Sequence, residues 1–445
     1  MTPNRSLALT VELQNIIRTD LLQQMSQDFP FEIVESYKNK QGQSKRDRVY
    51  NEENTLLTML VTAVQADKSL QQSVVIFREV FESRSEEIKK LEAEQLIRIK
   101  EQETALDKRR GRPKLYQSKL PKSKTQTVSA NTAAYAKARQ RLDYGLVKEV
   151  FDYSKNFHGL KQPGWYGMET YNTDGTYVQM QDSKELGRKF YVKKNDGAYP
   201  QALLQAVVRQ GSGQIVCFEL GTRHQSELEM VVRLIGQLQP NSLLLADDLY
   251  NSYAIFALMQ QKGFHIIVPG KRKRNYRVIK QLAEGDEMVE VMRTNTPAWW
   301  KEGCELPKKI VLRRIQYLSP VDGLTLWVLY TTISDHNISK ADIIVKYISR
   351  WDIEVTIREI KTLMQVNIVR SKGEAMVLKE LTIALTAYNM IRKLIAKSVE
   401  KTEFSPQKDL VQEFFAVHKD VLVDKKGRVY NRWSTGRYGQ TASTD

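Results

Sequence analysis

The chain has 445 residues, enough for roughly two to four domains, and its 41% hydrophobic content supports ample cores. Lys and Arg total 68 against 52 Asp and Glu, a net charge of +16, which points to a polyanionic partner, most simply nucleic acid. Two cysteines, Cys217 and Cys304, exclude a disulfide framework and a Cys-rich zinc module, and five scattered histidines argue against a histidine-ligated metal.

No run of about 18 apolar residues is present, so no membrane span or membrane partner is expected. With no signal peptide at the front, the expected location is the cytoplasm, associated with the nucleoid. Residues 1–125 read as helices: 54–66 and 69–81 carry apolar helical patterns, and Ser83-x-x-Glu86 is a capping box opening a long charged helix to about Lys108. The run RRGRPK (109–114) follows. Gly111 and Pro113 forbid further helix, and an extended Arg-Gly-Arg-Pro resembles an AT-hook, with Arg110 and Arg112 suited to a narrow A·T minor groove. A plain basic linker between domains accounts for the same residues. Asn131 to Lys155 reads as one basic amphipathic helix.

From Gly167 the texture changes to strands. Asp174 sits on the first of these, with a turn expected at Gly175 before Thr176 to Met180. Arg188 to Lys193, Ala202 to Arg209 and Gln214 to Leu220 are further strand candidates, and Ser226 to Leu238 is an amphipathic helix. Ser242 to Ala246 (SLLLA) is the short apolar run of a strand buried on both faces, and it ends at Asp247 and Asp248. A helix over Ser252 to Lys262 and a buried strand over Phe264 to Val268 complete a β-β-β-α-β-α-β order, which matches an α/β, ribonuclease H-like fold. Residues 271 to 334 read as a β-rich insertion with strands at Met288 to Arg293, Lys309 to Tyr317 and Leu324 to Thr332. Its front, KRKRNYR (271–277), offers Lys273 and Arg274 to phosphates. Of the adjacent Trp299 and Trp300, one can stack on an unpaired base, with Trp299 the candidate, or cover the insertion's own core.

Lys346 to Lys361, KYISRWDIEVTIREIK, organises the rest. Read as one helix, Tyr347, Arg350, Glu354 and Lys361 share a wedge of about 60°. Apolar residues flank it on both sides: Ile344, Ile348, Trp351 and Val355 on one, Ile353, Ile357, Ile360 and Met364 on the other. The expectation is a mostly buried helix with one ionic seam that needs polar partners. An i,i+4 ion pair between Arg350 and Glu354 is the purely structural account of the same residues. Helix resumes over Val377 to Lys397, and the tail (425–438) interleaves Lys and Arg with Tyr and Trp.

The spacing Y-x2-R-x3-E-x6-K resembles the signature of the insertion sequence 4 family of bacterial DDE transposases. The YAKARQRL segment (135–142), DGT at Asp174, ADDLY at Asp247 and AYNMIRKL (387–394) resemble other parts of that family in the same order. The resemblance implies a triad of Asp174, Asp247 and Glu354 holding two Mg²⁺ (or Mn²⁺) ions, with Tyr347, Arg350 and Lys361 on the DNA. Asp248 competes with Asp247, and Asp182 more weakly with Asp174. It further implies binding of double-stranded DNA (terminal inverted repeats and target), cut-and-paste transposition through a hairpin, and a homodimer that pairs two ends. A DNA-binding protein without catalysis, or a nuclease that only hydrolyses, are the other readings. The expected organisation is a helical DNA-binding region over 1–125, the catalytic core over 126–270 and 336–400, the insertion over 271–335 and a basic tail over 401–445.

Overall fold

A computed structural model describes residues 28–41, 48–65, 68–79, 131–156, 164–191, 199–271, 274–293, 296–300, 305–318, 324–362, 364–400, 422–423 and 429–430. The RRGRPK run, the charged segment up to Lys108, Lys273 and most of the tail lie outside them. The described residues divide into two compact units, one within 29–146 and one of Asp28 with those from Val147 onward.

The smaller unit is helical: α1 (Phe31–Lys40), α2 (Glu52–Ala63), a helical stretch over 70–79 and α3 (Thr132–Arg141). Asn51 caps α2 by accepting from the Asn54 amide at 2.8 Å, and Leu56, Leu60, Val74, Phe77 and Tyr135 form the interior. Tyr50 stacks between Phe77 and Tyr135, with ring centroids 4.9 and 5.3 Å away. The single helix expected from 131 to 155 is two. The chain leaves α3 at Leu142 (ψ 125°) and restarts as α4 (Tyr144–Ser154).

The larger unit is built on a nine-stranded sheet: β1 (Thr170–Gln179), β2 (Gln201–Arg209), β3 (Ile215–Thr222), β4 (Leu243–Leu245), β5 (His265–Pro269), β6 (Arg277–Ala283), β7 (Asp286–Met292), β8 (Lys309–Leu318) and β9 (Leu326–Thr331). Its order is β3-β2-β1-β4-β5-β9-β8-β7-β6. β1, β2 and β3 are antiparallel neighbours, whereas β1, β4 and β5 run parallel. That half is the ribonuclease H-like arrangement expected from the element order. β1 is continuous, because Gly175 pairs with Gln205 in register and makes no turn. The expected strand at 188–193 is instead a short helix, α5 (Lys184–Phe190), capped by Ser183. The strand β6 went unread because its residues are almost all exposed and its Lys and Arg masked the β pattern.

β4 shows why a three-residue strand can anchor the centre. Leu244 faces a core shared with α6 (Glu227–Ile235) and α7 (Tyr253–Gln261), including Val231, Ile235 and Phe256. Leu243 and Leu245 face a second core with Ile267, Ile343 and Tyr347, the last two from α8 (Lys340–Ile348). Helices thus cover both faces, as the continuous apolar run requires. Beyond α8 a 3₁₀ turn (Ser349–Trp351) leads into α9 (Asp352–Thr362), and the long α10 (Glu374–Glu400) closes this part of the unit. Two short strands, β10 (Leu422–Val423) and β11 (Val429–Tyr430), pair in the tail.

The expected single helix through Tyr347 to Lys361 is therefore interrupted. Only one of its apolar flanks is buried: Ile353, Ile357, Ile360 and Met364 are enclosed, whereas Ile348 is exposed and Ile344 half-buried. The insertion strands are likewise not a separate layer. β9 bonds directly to β5, and β8, β7 and β6 extend the same sheet.

A candidate active site across two parallel strands

Strand register sets the first two acids side by side. Asn172 pairs with Leu245 across the parallel β1–β4 ladder. Two residues further along, Asp174 and Asp247 stand at matching positions, on chains spaced about 4.8 Å apart. Asp247 lies just past the carboxyl end of β4, where open α/β sheets collect their ligands, and Asp174 lies midway along β1, which runs on beyond that end. Asp174 Oδ1 accepts from the Gly175 amide at 2.8 Å, and Asp247 Oδ1 accepts from the Leu249 amide at 2.8 Å, capping a 3₁₀ turn over Asp248–Tyr250.

The third acid comes from a helix that follows α8, which covers the face of Leu243 and Leu245. α9 packs against β1 and carries Glu354 in its first turn, one 3₁₀ turn after Tyr347. Gln210, in the turn after β2, donates to the Ser349 carbonyl oxygen (3.3 Å) and to its hydroxyl, which fixes that turn. Burial pushes the Asp174 carboxyl above the usual carboxylate range, opposed by its bond from Gly175. Asp247 and Glu354 raise it further, while Arg350 lowers it. All four groups therefore share one electrostatic neighbourhood. Arg350 is largely buried, donates to Glu354 Oε1 at 3.1 Å, and lies 5.9 Å from the Tyr347 ring centroid. The i,i+4 ion pair is thus present, with Glu354 44% exposed on its outer side. Tyr347 is buried, which pushes its hydroxyl up to about 12, and it senses both Asp247 and Asp248. Lys361 is half-buried in the last turn of α9.

The competing acids are otherwise engaged. Asp248 Oδ1 accepts from the Lys271 amide at 3.1 Å and from Asn251 Nδ2 at 3.5 Å, so it ties the turn to the start of the insertion. Asp182 receives the Tyr191 hydroxyl at 3.1 Å, beyond the end of β1. Arg274, read from sequence as a phosphate contact, is turned inward. Its Nη2 donates to Asn251 O (2.9 Å) and Oδ1 (2.6 Å), and its guanidinium stacks between Phe256 and Tyr330 at 5.3 and 5.6 Å. Trp299 and Trp300 are partly buried against the α6–α7 core and meet edge to face at 5.9 Å, which matches the core-covering reading. Arg110, Arg112 and Lys273 fall outside the described residues.

One acid escaped the sequence. Glu227 opens α6, where an acid at a helix N-terminus looks ordinary. Its carboxyl leans over Gly175, only 2.5 Å from where a Cβ on that glycine would stand. Burial raises its pKa, and Asp174 and Asp247 raise it further. The only signal in the sequence was the glycine beside Asp174.

Oxygen donors of this kind, with neither thiolate nor imidazole among them, suit a hard divalent cation, and their mutual repulsion leaves the site short of positive charge. Among the described residues, no group of three or more His, Cys, Asp or Glu side chains is drawn together tightly enough to hold a metal ion as it stands. No described helix is long and apolar enough to cross a membrane.

The chain is similar in sequence to known transposases. The chain is 27% identical over 277 residues to the transposase InsG for insertion sequence element IS4 of Escherichia coli (strain K12), covering 60% of this chain and 62% of the relative. It is 26% identical over 175 residues to the putative transposase InsZ of the same organism, covering 37% of this chain and 55% of the relative. The chain thus spans less than two thirds of the length of either relative. Among solved structures, a piggyBac transposase synaptic complex with hairpin DNA aligns over 92% of this chain and 80% of its own, at 12% identity and a TM-score of 0.40. The family model described as transposase DDE domain matches residues 165–390, more than half the chain and every acid discussed above. The chain belongs to the transposase DDE domain family.

Proposed function

We propose that the protein is the DNA transposase of an insertion sequence. It binds terminal inverted repeats, cuts at the element's ends and joins them to target DNA by a cut-and-paste route through end hairpins. The observation that supports this reading is the register that brings Asp174 and Asp247 to matching positions on neighbouring strands, with Glu354 and Arg350 close enough to act on the Asp174 carboxyl.

Asp174, Asp247 and Glu354 are the residues that would hold two Mg²⁺ or Mn²⁺ ions. Such a pair, when bound, supplies an activated oxygen nucleophile and stabilises the leaving oxygen of an in-line phosphodiester displacement. The chain's own residues orient the substrate. Arg350 has a guanidinium suited to a phosphate fork, and DNA entering the site competes with Glu354 for it. Release from Arg350 frees the Glu354 carboxylate to turn towards Asp174. Tyr347 offers its hydroxyl from the buried side, and Lys361, about 10 Å along α9 from Glu354, reaches a neighbouring phosphate. The basic segments around Arg110, Arg112 and Lys273 serve as further backbone contacts, and two copies of the chain pair the two ends.

Nicking of supercoiled plasmid carrying the element's ends, in Mg²⁺, tests the reading. Glu354→Gln is expected to lose about a hundredfold or more of the parent's rate. Equal rates would remove Glu354 from the chemistry. The outward exposure of Glu354 favours one second reading, a protein that binds DNA on this fold without cutting it; an inactive parent with intact end-binding would support that instead. Recovery of joined donor–target molecules separates transposition from simple hydrolysis.

A further inference from the structure

A directed chain of hydrogen bonds lies beneath the acidic centre. Gln205, fully buried on β2, donates one amide hydrogen to Thr173 Oγ1 at 2.7 Å and the other to the Tyr250 hydroxyl at 2.8 Å. Thr173 passes its own hydrogen to the Ala206 carbonyl at 3.0 Å, and Tyr250 aims its hydrogen at Glu227 Oε2, 3.5 Å away. Thr173 adjoins Asp174 on β1. Tyr250 ends the 3₁₀ turn that Asp247 caps. The strand that carries Asp174 and the turn that Asp247 caps are therefore joined through the two hydrogens of one amide, and Glu227 closes the chain from α6.

The Tyr250 hydroxyl has no packing purpose. Its ring is 1% exposed within the α6–α7 apolar cluster, a space that a phenylalanine fills as well without burying a polar oxygen. The hydroxyl is accounted for by what it joins. Asp174 and Asp247 repel each other across one strand spacing, and reacting groups must be held to about 0.5 Å. A rigid polar tether below them opposes the splaying that repulsion favours.

We propose that Tyr250 and Glu227 are positioning residues, which hold the Asp247 turn against the Asp174 strand through Gln205 and Thr173. This rests on Asp174 and Asp247 being the acids of the reaction proposed above. Gly175 belongs to the device, because any side chain there displaces the Glu227 carboxyl.

The test uses the full chain with Tyr250→Phe, Glu227→Gln and the double variant, read in two ways. Backbone hydrogen exchange in metal-free buffer is followed in the segments 170–176 and 245–251, and kcat and KM are measured for plasmid nicking in Mg²⁺. Each single variant is expected to exchange about tenfold faster in both segments, with Tm within a few degrees of the parent's. Each is also expected to lose about tenfold in kcat at a KM within about twofold, and the double variant to be no worse than either single one. Unchanged exchange, unchanged kcat despite faster exchange, or losses that multiply in the double variant would each overturn the proposal. A parent no more active than its Glu354→Gln variant would instead remove the functional reading, with the exchange data still deciding whether the tether exists.

Discussion

Asp174 is more costly to ionise in this fold than in an unfolded chain, since burial and two neighbouring carboxylates all raise its pKa. A carboxyl with a raised folded pKa contributes stability that is complete below its unfolded pKa and lost as pH rises through the folded one. At neutral pH and without divalent ions, Asp174→Asn is therefore expected to melt a few degrees above the parent, while the proposed function expects it to lose cutting. The gain should vanish at pH values below the ordinary carboxylate range; a variant that melts lower at neutral pH, in scans with a chelator, would contradict the sign. Asp286 is instead held in a buried ion pair. Its carboxylate takes two hydrogen bonds from Arg313, at 2.8 and 2.6 Å, with both side chains under 5% exposed. Asp286→Ala strands a buried guanidinium and should cost about 3–5 kcal/mol, measured as a lower urea midpoint for the larger unit.

At the level of elements, a good deal was legible in the sequence, for identifiable reasons. SLLLA announced a strand buried on both faces, and β4 is one; the acid directly after it, Asp247, stands in register with Asp174. Long-range pairing was less readable. Nothing local says that Arg274, in a basic run, folds back onto Asn251, or that Glu227 comes to rest over Gly175. The helix through Tyr347 to Lys361 misled because its polar residues keep helical spacing across a 3₁₀ turn that Gln210 fixes from a distant loop. Gly175→Ala tests the contact at element scale. The fold can admit a methyl group on β1 only with Glu227 swung aside, so nicking should fall about tenfold while the melting temperature stays within a few degrees. A variant as active as the parent would show that Glu227 need not stay where it stands.

For the whole molecule, the net charge of +16 makes DNA affinity an electrostatic quantity in the first place. Binding to end-containing DNA should weaken by about 10³-fold or more between 50 and 200 mM salt, read from a log–log titration. A shallow slope would mean that the excess charge does not face the duplex. The sheet itself adds a constraint of a different kind. Since β9 bonds to β5 and the remaining insertion strands follow it outward, β6 stands four strand spacings from β5, about 20 Å. Such a ladder cannot flap as a hinged cover. It acts as a fixed ruler that keeps β6 at one distance from the two aspartates, and under the proposed function a hairpin added to or removed from the insertion is expected to move the point of cutting instead of slowing it.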